Sequence, residues 1–383
     1  MKKVLFCIGR LVAGGVQKIV LELSAFLSRS GVINAEILVL IETDSREEAL
    51  LLDKYRDLNI TFAFHGVQPT YLFRAPVLYK TMEKIQPDVI HSHSPIPHTY
   101  VGIAGKALGV PLVSTVHNTV LWRERWEKEK AVLVLNTFLD RMTDKYVAIC
   151  KTAKENFINL VPVSEKKTVV IENFVSNVDE IENKVGPKFL ERYHGICEGR
   201  FLFVNVAVLD VARKNQIRLV KAFGNLLRRR KAKARLLLLG DGPDYSRTKK
   251  TIEDEGMGGA ISMMGFQRDV ISIVKLSDCF VLPSLIEGVP VALLEALATG
   301  TPVLISEVGG MKGIVVEGVS GFTLNPLSEN EIEKKLEAVY DMEKDKLESV
   351  GRAGKELVRK RYSIERSARE HLDLYGELLG RSL

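Results

Sequence analysis

VLPSLIEGVPVALLEALATGTPVLIS (Val281–Ser306) reads as strand, loop, helix and strand. Cys279–Leu282 and Val303–Ser306 are apolar runs of strand length. Between them, Pro290 suits the first turn of a helix, where a missing N–H costs nothing, and Gly300 suits its C-terminal cap. Every residue from Val291 to Ala298 is apolar except Glu295. A helix that is apolar all round is buried, and a carboxylate on it is costly unless something binds it. Glu287 lies eight residues earlier, in the loop that opens the helix. Two carboxylates bracketing a helix N-terminus at a strand's carboxyl end point to a ligand with hydroxyls and phosphate. An internal ion pair for Glu295 and an ordinary cap for Glu287 are the structural alternatives. Hydrolysis fits poorly: eight helical residues span about 12 Å, whereas glycosidase carboxyls stand roughly 5–5.5 or 6.5–9.5 Å apart.

The chain is 383 residues long, which calls for two domains. Its apolar and charged fractions, 46% and 27%, are those of a globular protein. A net charge of +6 is compatible with phosphate-bearing substrates or an anionic membrane surface and weak as a sign of nucleic acid. The four cysteines (Cys7, Cys150, Cys197, Cys279) form no CxxC pair and read as free thiols in a reducing compartment. The apolar run Val4–Ile8 is too short for a signal peptide and ends at Arg10. No run reaches the roughly 18 apolar residues of a membrane span. A cytoplasmic protein is expected, soluble or peripheral on the inner face of the membrane.

Short apolar runs alternate with helical patterns, the signature of a parallel α/β fold. The first half offers strands at Val4–Ile8, Ala35–Ile41, Ile60–Phe64, Val89–His91, Leu112–Val116, Tyr146–Ile149 and Thr168–Ile171. The second offers Phe201–Ala207, Arg235–Leu239, Ile261–Met264, Cys279–Leu282, Val303–Ser306 and Phe322–Leu324. Polar Ser176–Pro187 reads as the connection, and Glu331–Leu383 as helical with a break at Tyr362-Ser363.

Candidate chemistry follows the strands. Gly14-Gly15, His93 and His117 do so in the first half; Arg213-Lys214, Gly240–Pro243, Gly265-Phe266-Gln267, Glu287 and Gly309-Gly310 do so in the second. Open α/β sheets bind ligands outside the carboxyl ends of their strands, and two such edges facing each other would make a cleft. Taken singly, each has a bland reading: a turn for the glycine pairs, a solvated basic loop for Arg213-Lys214, a structural ring for each histidine. The basic run Arg228–Lys233 suits a solvated helix end. His91 and His93 share a strand face, with His98 and His117 following, but no carboxylate completes a zinc set and no HExxH occurs. No metal is expected.

EGVPVALLE (Glu287–Glu295) resembles the E-x7-E motif of retaining GT-B glycosyltransferases of family 4. PDVIHSHSP (Pro87–Pro95), STVHNT (Ser114–Thr119), VIENFVSNVD (Val170–Asp179), LLLLGDGP (Leu236–Pro243), MGF (Met264–Phe266) and GVSGF (Gly318–Phe322) resemble further family segments in order. Gly14-Gly15-Val16 resembles its N-terminal glycine loop. The resemblance covers nearly the whole chain. It implies two Rossmann-like domains facing across a cleft: an acceptor domain at 1–180, a nucleotide-sugar domain at 181–361, and a helix at 362–383 packing back on the first. It also implies metal-independent, cofactor-free transfer of a sugar from a nucleotide diphosphate sugar, UDP-sugar favoured, with retention.

By the same resemblance, Glu295 holds the ribose hydroxyls, Glu287 the sugar hydroxyls, and Lys214 the diphosphate. The backbone of Gly288, Val289, Pro290 and Val291 faces donor sugar and phosphate, and Gln267 borders the base. His117 sits beside the reacting centre, Gly15 near the phosphate or acceptor, and Gly14 and His93 on the acceptor side. The acceptor implied is a glycan or lipid-linked glycan of bacterial surface polysaccharide or lipopolysaccharide. Two positions depart from the family: Val208 stands where it carries a diphosphate-binding Arg, for which Arg213 is the candidate replacement, and Lys312-Gly313 end a segment that lacks its usual Glu. Leu121–Arg141 reads as an amphipathic helix, with Trp122 and Trp126 on one face suiting either a surface helix or shallow membrane contact. A nucleotide-sugar 2-epimerase of the same fold and a non-catalytic sugar-nucleotide-binding partner are the rival functions.

Overall fold

A computed structural model describes residues 1–383 apart from 13, 44, 65–74, 94, 118–139, 161–164, 177 and 179–198. The chain divides into two compact units, Met1–Phe174 with Ile364–Leu383, and Val175–Ser363. The expected boundaries, 180 and 361, lie a few residues from these divisions. Trp122, Trp126, Cys197 and most of the polar connection lie outside the described residues.

In the first unit, β1 (Lys2–Arg10), β2 (Ile33–Ile41), β3 (Asn59–Phe64), β4 (Val89–His93), β5 (Leu112–Val116), β6 (Lys145–Ala148) and β7 (Thr168–Val170) form a parallel sheet in the order β3-β2-β1-β4-β5-β6-β7. The second unit holds β8 (Phe201–Val206), β9 (Ala234–Leu239), β10 (Ile261–Gly265), β11 (Cys279–Leu282), β12 (Val303–Ser306) and β13 (Phe322–Leu324). They form a parallel sheet in the order β10-β9-β8-β11-β12-β13. Every expected run is a strand, because strands covered on both faces read as continuous apolar stretches. Two ends differ in ways that matter: β4 includes His93, which the sequence placed after the strand, and β10 includes Gly265.

Strand order reverses between β1 and β4 and again between β8 and β11, and such switch points open a crevice at the carboxyl edge. The opposite edge is fastened by three aspartates. Asp88, just before β4, accepts the Lys3 N–H of β1 at 2.8 Å. Asp144, before β6, accepts the Leu112 N–H of β5 at 2.8 Å, and Asp278, before β11, that of Leu202 in β8 at 2.7 Å. Each carboxylate satisfies a strand-entry donor that the ladder leaves open.

The helix of the second unit's signature segment runs Val291–Ala298 with all but Ala292 buried. Pro290 is its extended N-cap rather than a first-turn residue, and Gly300 follows the C-cap with φ +76°. Helix Lys344–Arg361 lies against it. A Cβ on Gly351 would lie 1.9 Å from the Gly300 carbonyl oxygen, and backbone atoms there cannot turn aside. Gly351→Ala is therefore expected to destabilise the second unit by about 3 kcal/mol through overpacking, read as a lower urea midpoint at unchanged slope.

The basic run at the end of helix Gln216–Arg230 is exposed, as expected, and makes surface ion pairs: Arg229 meets Glu333 and Glu337, and Arg230 meets Glu337 and Asp341. The last helix, Ile364–Leu378, packs against helix Gly15–Arg29 of the first unit. Glu377 there pairs with Lys145 at 2.6 Å. Among the described residues no helix is long and apolar enough to cross a membrane.

Candidate active site

Of the residues singled out by sequence, Lys214 and Glu287 meet at the second unit's switch point, and His93 and His117 meet at the ends of β4 and β5 in the first. In the second unit, the loop after β8 closes into a short helix, Val211–Lys214, where a turn was expected. Asp210 caps it, accepting the Arg213 N–H, and also holds the Arg213 Nε at 2.6 Å. Arg213 is half exposed. Lys214, much less exposed, points the other way and donates to Glu287 Oε1, which also accepts from Ser284 Oγ at 2.8 Å. The sequence assigned Lys214 and Glu287 to separate parts of a ligand; the structure pairs them.

Backbone contacts explain why they meet. The Leu285 N–H donates to the Arg213 carbonyl at 2.7 Å. Asn215, left-handed at φ +62°, donates its side-chain amide to the carbonyls of Pro283 and Pro326 at 3.1 and 2.8 Å, and Asn tolerates that conformation. Ser306 Oγ donates to the Ser284 carbonyl at 2.5 Å, and the Gly310 N–H to the Glu287 carbonyl at 3.1 Å. Loops after β8, β11, β12 and β13 are thereby stitched around Glu287. Ser306 and Asn215 escaped the sequence reading because their partners are backbone carbonyls, which carry no residue signature, and Ser284 because a lone serine in a loop gives no sign of the carboxylate it bonds.

Gly240–Pro243 also has a packing role. A Cβ on Gly240, at φ +127°, would lie 2.1 Å from the Ala207 carbonyl oxygen, so the loop after β9 lies directly on that after β8. Val208, where the family's Arg would stand, is 49% exposed. Gln267 turns its amide back to the Met264 carbonyl at 2.5 Å, beside exposed Phe266. Glu295 is buried on its helix. Of the stretch Gly288–Val291, Pro290 has no N–H to offer, leaving Gly288, Val289 and Val291 as backbone donors.

In the first unit, Gly14 is the extended N-cap of the helix that Gly15 opens, with no side-chain cap bond. His93 and His117 meet across β4 and the end of β5, His93 Nδ1 lying 3.0 Å from His117 Nε2. His91 stacks 4.3 Å from His93 and is held by Tyr375 Oη at 2.6 Å and Thr115 Oγ1 at 2.7 Å. His371 donates Nδ1–H to the Ser367 carbonyl at 2.7 Å. His371 and Tyr375 come from the last helix, some 280 residues downstream of His91. Burial holds all four rings neutral: His117 and His371 fall to about 4, and His91 and His93 fall well below the ordinary range. The cavity that His93, His117 and His371 line measures ≈ 10 Å³, too small for a sugar. His93 itself is buried. His98, bonded to Ser92 and Thr143, is a structural ring. Among the described residues, no group of three or more His, Cys, Asp or Glu could hold a metal ion.

Comparison with known proteins gives two family matches, glycosyltransferase family 4 over residues 13–177 and glycosyl transferases group 1 over residues 188–357. The chain is 28% identical over 275 residues to the UDP-Gal:alpha-D-GlcNAc-diphosphoundecaprenol alpha-1,3-galactosyltransferase of Escherichia coli, covering 70% of each. It is similar in fold to the Anabaena HepE protein crystallised with UDP-glucose, with a TM-score of 0.82 and 18% identity over 99% of this chain and 100% of that one. A glycosyltransferase from Rickettsia africae superposes with a TM-score of 0.78 at 20% identity, covering 100% and 99%.

Proposed function

Since the chain belongs to the GT-B glycosyltransferases of family 4 and group 1, we propose that it moves a sugar from a nucleotide diphosphate sugar, a UDP-sugar, to a lipid-linked or free glycan, with retention and without a metal. The observation that carries the reading is the Lys214–Glu287–Ser284 cluster at the β8/β11 switch point. A cation and a hydroxyl-binding carboxylate, held within one bond of each other, match the diphosphate and sugar of one donor. Diphosphate draws Lys214 from Glu287, and the released carboxylate accepts hydrogen bonds from the sugar hydroxyls. Arg213 turns from Asp210 to the diphosphate, in place of the Arg missing at Val208. Glu295 takes the ribose hydroxyls, the N–H groups of Gly288, Val289 and Val291 the sugar and phosphate, and Gln267 the base.

In the transfer, the bond from the sugar C1 to the phosphate oxygen breaks and one from C1 to the acceptor oxygen forms on the same face. The departing phosphate takes the acceptor's proton. No side-chain base is required, and His117 is assigned to steadying the sugar. Gly14 and His93 are assigned to the acceptor side, and Gly15 to the donor phosphate. The lipid-linked acceptor rests on the Escherichia coli relative, whose name specifies a diphosphoundecaprenol sugar.

Purified protein incubated with UDP-, GDP- and ADP-sugars tests the reading. A UDP-sugar is expected to raise Tm and be consumed with an acceptor extract; stabilisation by none of them overturns it. Arg213→Ala is expected to weaken donor binding about 10-fold or more, and an unchanged affinity sinks that assignment. The exposed valine at 208 favours one second reading, a non-catalytic nucleotide-sugar binder. Binding without transfer or donor hydrolysis identifies it, and formation of an epimeric UDP-sugar with no acceptor present identifies an epimerase.

A further inference from the structure

The two rings that meet across β4 and β5 constrain one another. Their nitrogens, His93 Nδ1 and His117 Nε2, are 3.0 Å apart, so one carries the proton and the other accepts it. A neutral imidazole has a single N–H. If His117 donated from Nε2, His93 would have to carry its own proton on Nε2. That atom is buried and, among the described residues, has no hydrogen-bond partner. A buried N–H without an acceptor forfeits its full hydration, whereas an unpaired ring lone pair is tolerated more readily. The proton therefore belongs on His93 Nδ1.

We infer that His93 is a positioning residue that fixes His117 in its Nδ1–H tautomer, so that His117 meets the substrate with a hydrogen-bond donor and not with a basic nitrogen. Three observations hold the device in place. His93 packs in one cluster with the rings of His91 and Phe6, at 4.3 and 6.0 Å, which themselves lie 5.6 Å apart. His91 is pinned from both sides by Tyr375 and Thr115. Burial keeps both partners neutral, which a one-proton bridge requires. The last helix thus reaches His117 through Tyr375, His91 and His93. With Nε2 occupied and Nδ1 protonated, His117 can hold a sugar oxygen lone pair but cannot take the acceptor's proton. That consequence rests on the transferase reading above; the tautomer does not.

The test uses the full chain labelled with ¹⁵N-histidine, the His117 signals assigned by loss in His117→Gln. Long-range ¹H–¹⁵N spectra near neutral pH are expected to show His117 as Nδ1–H. The same pattern is expected in His93→Asn, whose amide N–H replaces Nδ1–H, and reversion to Nε2–H in His93→Phe. For transfer, His93→Phe is expected to lower kcat about 10–100-fold with donor KM within about twofold, and His93→Asn to restore most of it. A wild-type His117 in the Nε2–H tautomer overturns the inference whatever the kinetics. An Nδ1–H tautomer with kcat unchanged in His93→Phe overturns the catalytic half and takes His117 out of the reaction, while donor binding in the second unit is judged separately by the sugar-nucleotide screen.

Discussion

Glu287→Gln is expected to bind UDP alone about tenfold more tightly than the wild type, a gain of ~1.4 kcal/mol, while its kcat/KM for sugar transfer falls about 10²–10³-fold. The two effects have opposite signs because Glu287 has two partners in turn. Without donor, its carboxylate neutralises Lys214, and both groups are largely withdrawn from solvent. Gln keeps the acceptor for Ser284 Oγ but removes the charge, so a free diphosphate no longer competes for the cation. The sugar then loses a charged acceptor for its hydroxyls, and charged hydrogen bonds are about twice as strong as neutral ones. Calorimetric titration with UDP and initial rates with the donor read the two arms. Unchanged UDP affinity would mean that Lys214 does not reach the diphosphate, and transfer near the wild-type rate would remove Glu287 from the sugar.

Acid is expected to unfold the first unit well before the second. Five of the seven histidines lie there: His91, His93, His98 and His371 are buried and His117 is partly buried. Burial lowers all of them, with His98, His117 and His371 at about 4 against an ordinary value of about 6.5. A depressed base binds its proton more weakly in the folded chain. Its contribution is complete above about pH 6.5 and is lost as the pH falls toward and through 4. At about pH 5, each ring at 4 has given up roughly 2 kcal/mol. Because His91 and His93 are further lowered by neighbouring rings, the losses are coupled rather than summed. Between pH 7 and 5 the first unit's Tm is expected to drop on the order of 15 °C. The second unit has no described histidine, and its depressed carboxylate, Glu317, loses its contribution only below the ordinary carboxylate range. Hydrogen exchange followed by peptide mass across that interval separates the units; equal loss in both would contradict the burial of these rings.

The sequence carried the architecture because apolar runs, glycines and prolines act locally. Every strand was legible, as was the placement of Lys214, Glu287, His93 and His117 at strand ends. What the sequence did not reveal depends on distance along the chain. Lys214 and Glu287 are 73 residues apart, and Asn215 ties carbonyls 68 and 111 residues away. His91 finds Tyr375 after 284 residues, so sequence alone left the histidines open between structural rings, metal ligands and, for His117, a substrate contact. Pro290 was read one position too deep, since a first-turn residue and an N-cap both tolerate its missing N–H. The acceptor remains least legible: Trp122 and Trp126 lie outside the described residues.

The three aspartates at strand entries, Asp88, Asp144 and Asp278, sit at the amino ends of the strands, while every candidate ligand contact sits at the carboxyl ends. Fastening and chemistry therefore occupy opposite rims of each sheet. Specificity can be re-engineered by substitutions in the loops after β8, β10 and β11 without touching the pairing that starts that sheet. Conversely, a variant selected for heat resistance has a rim of its own to work on, where changes reach the sugar only through the length of a strand.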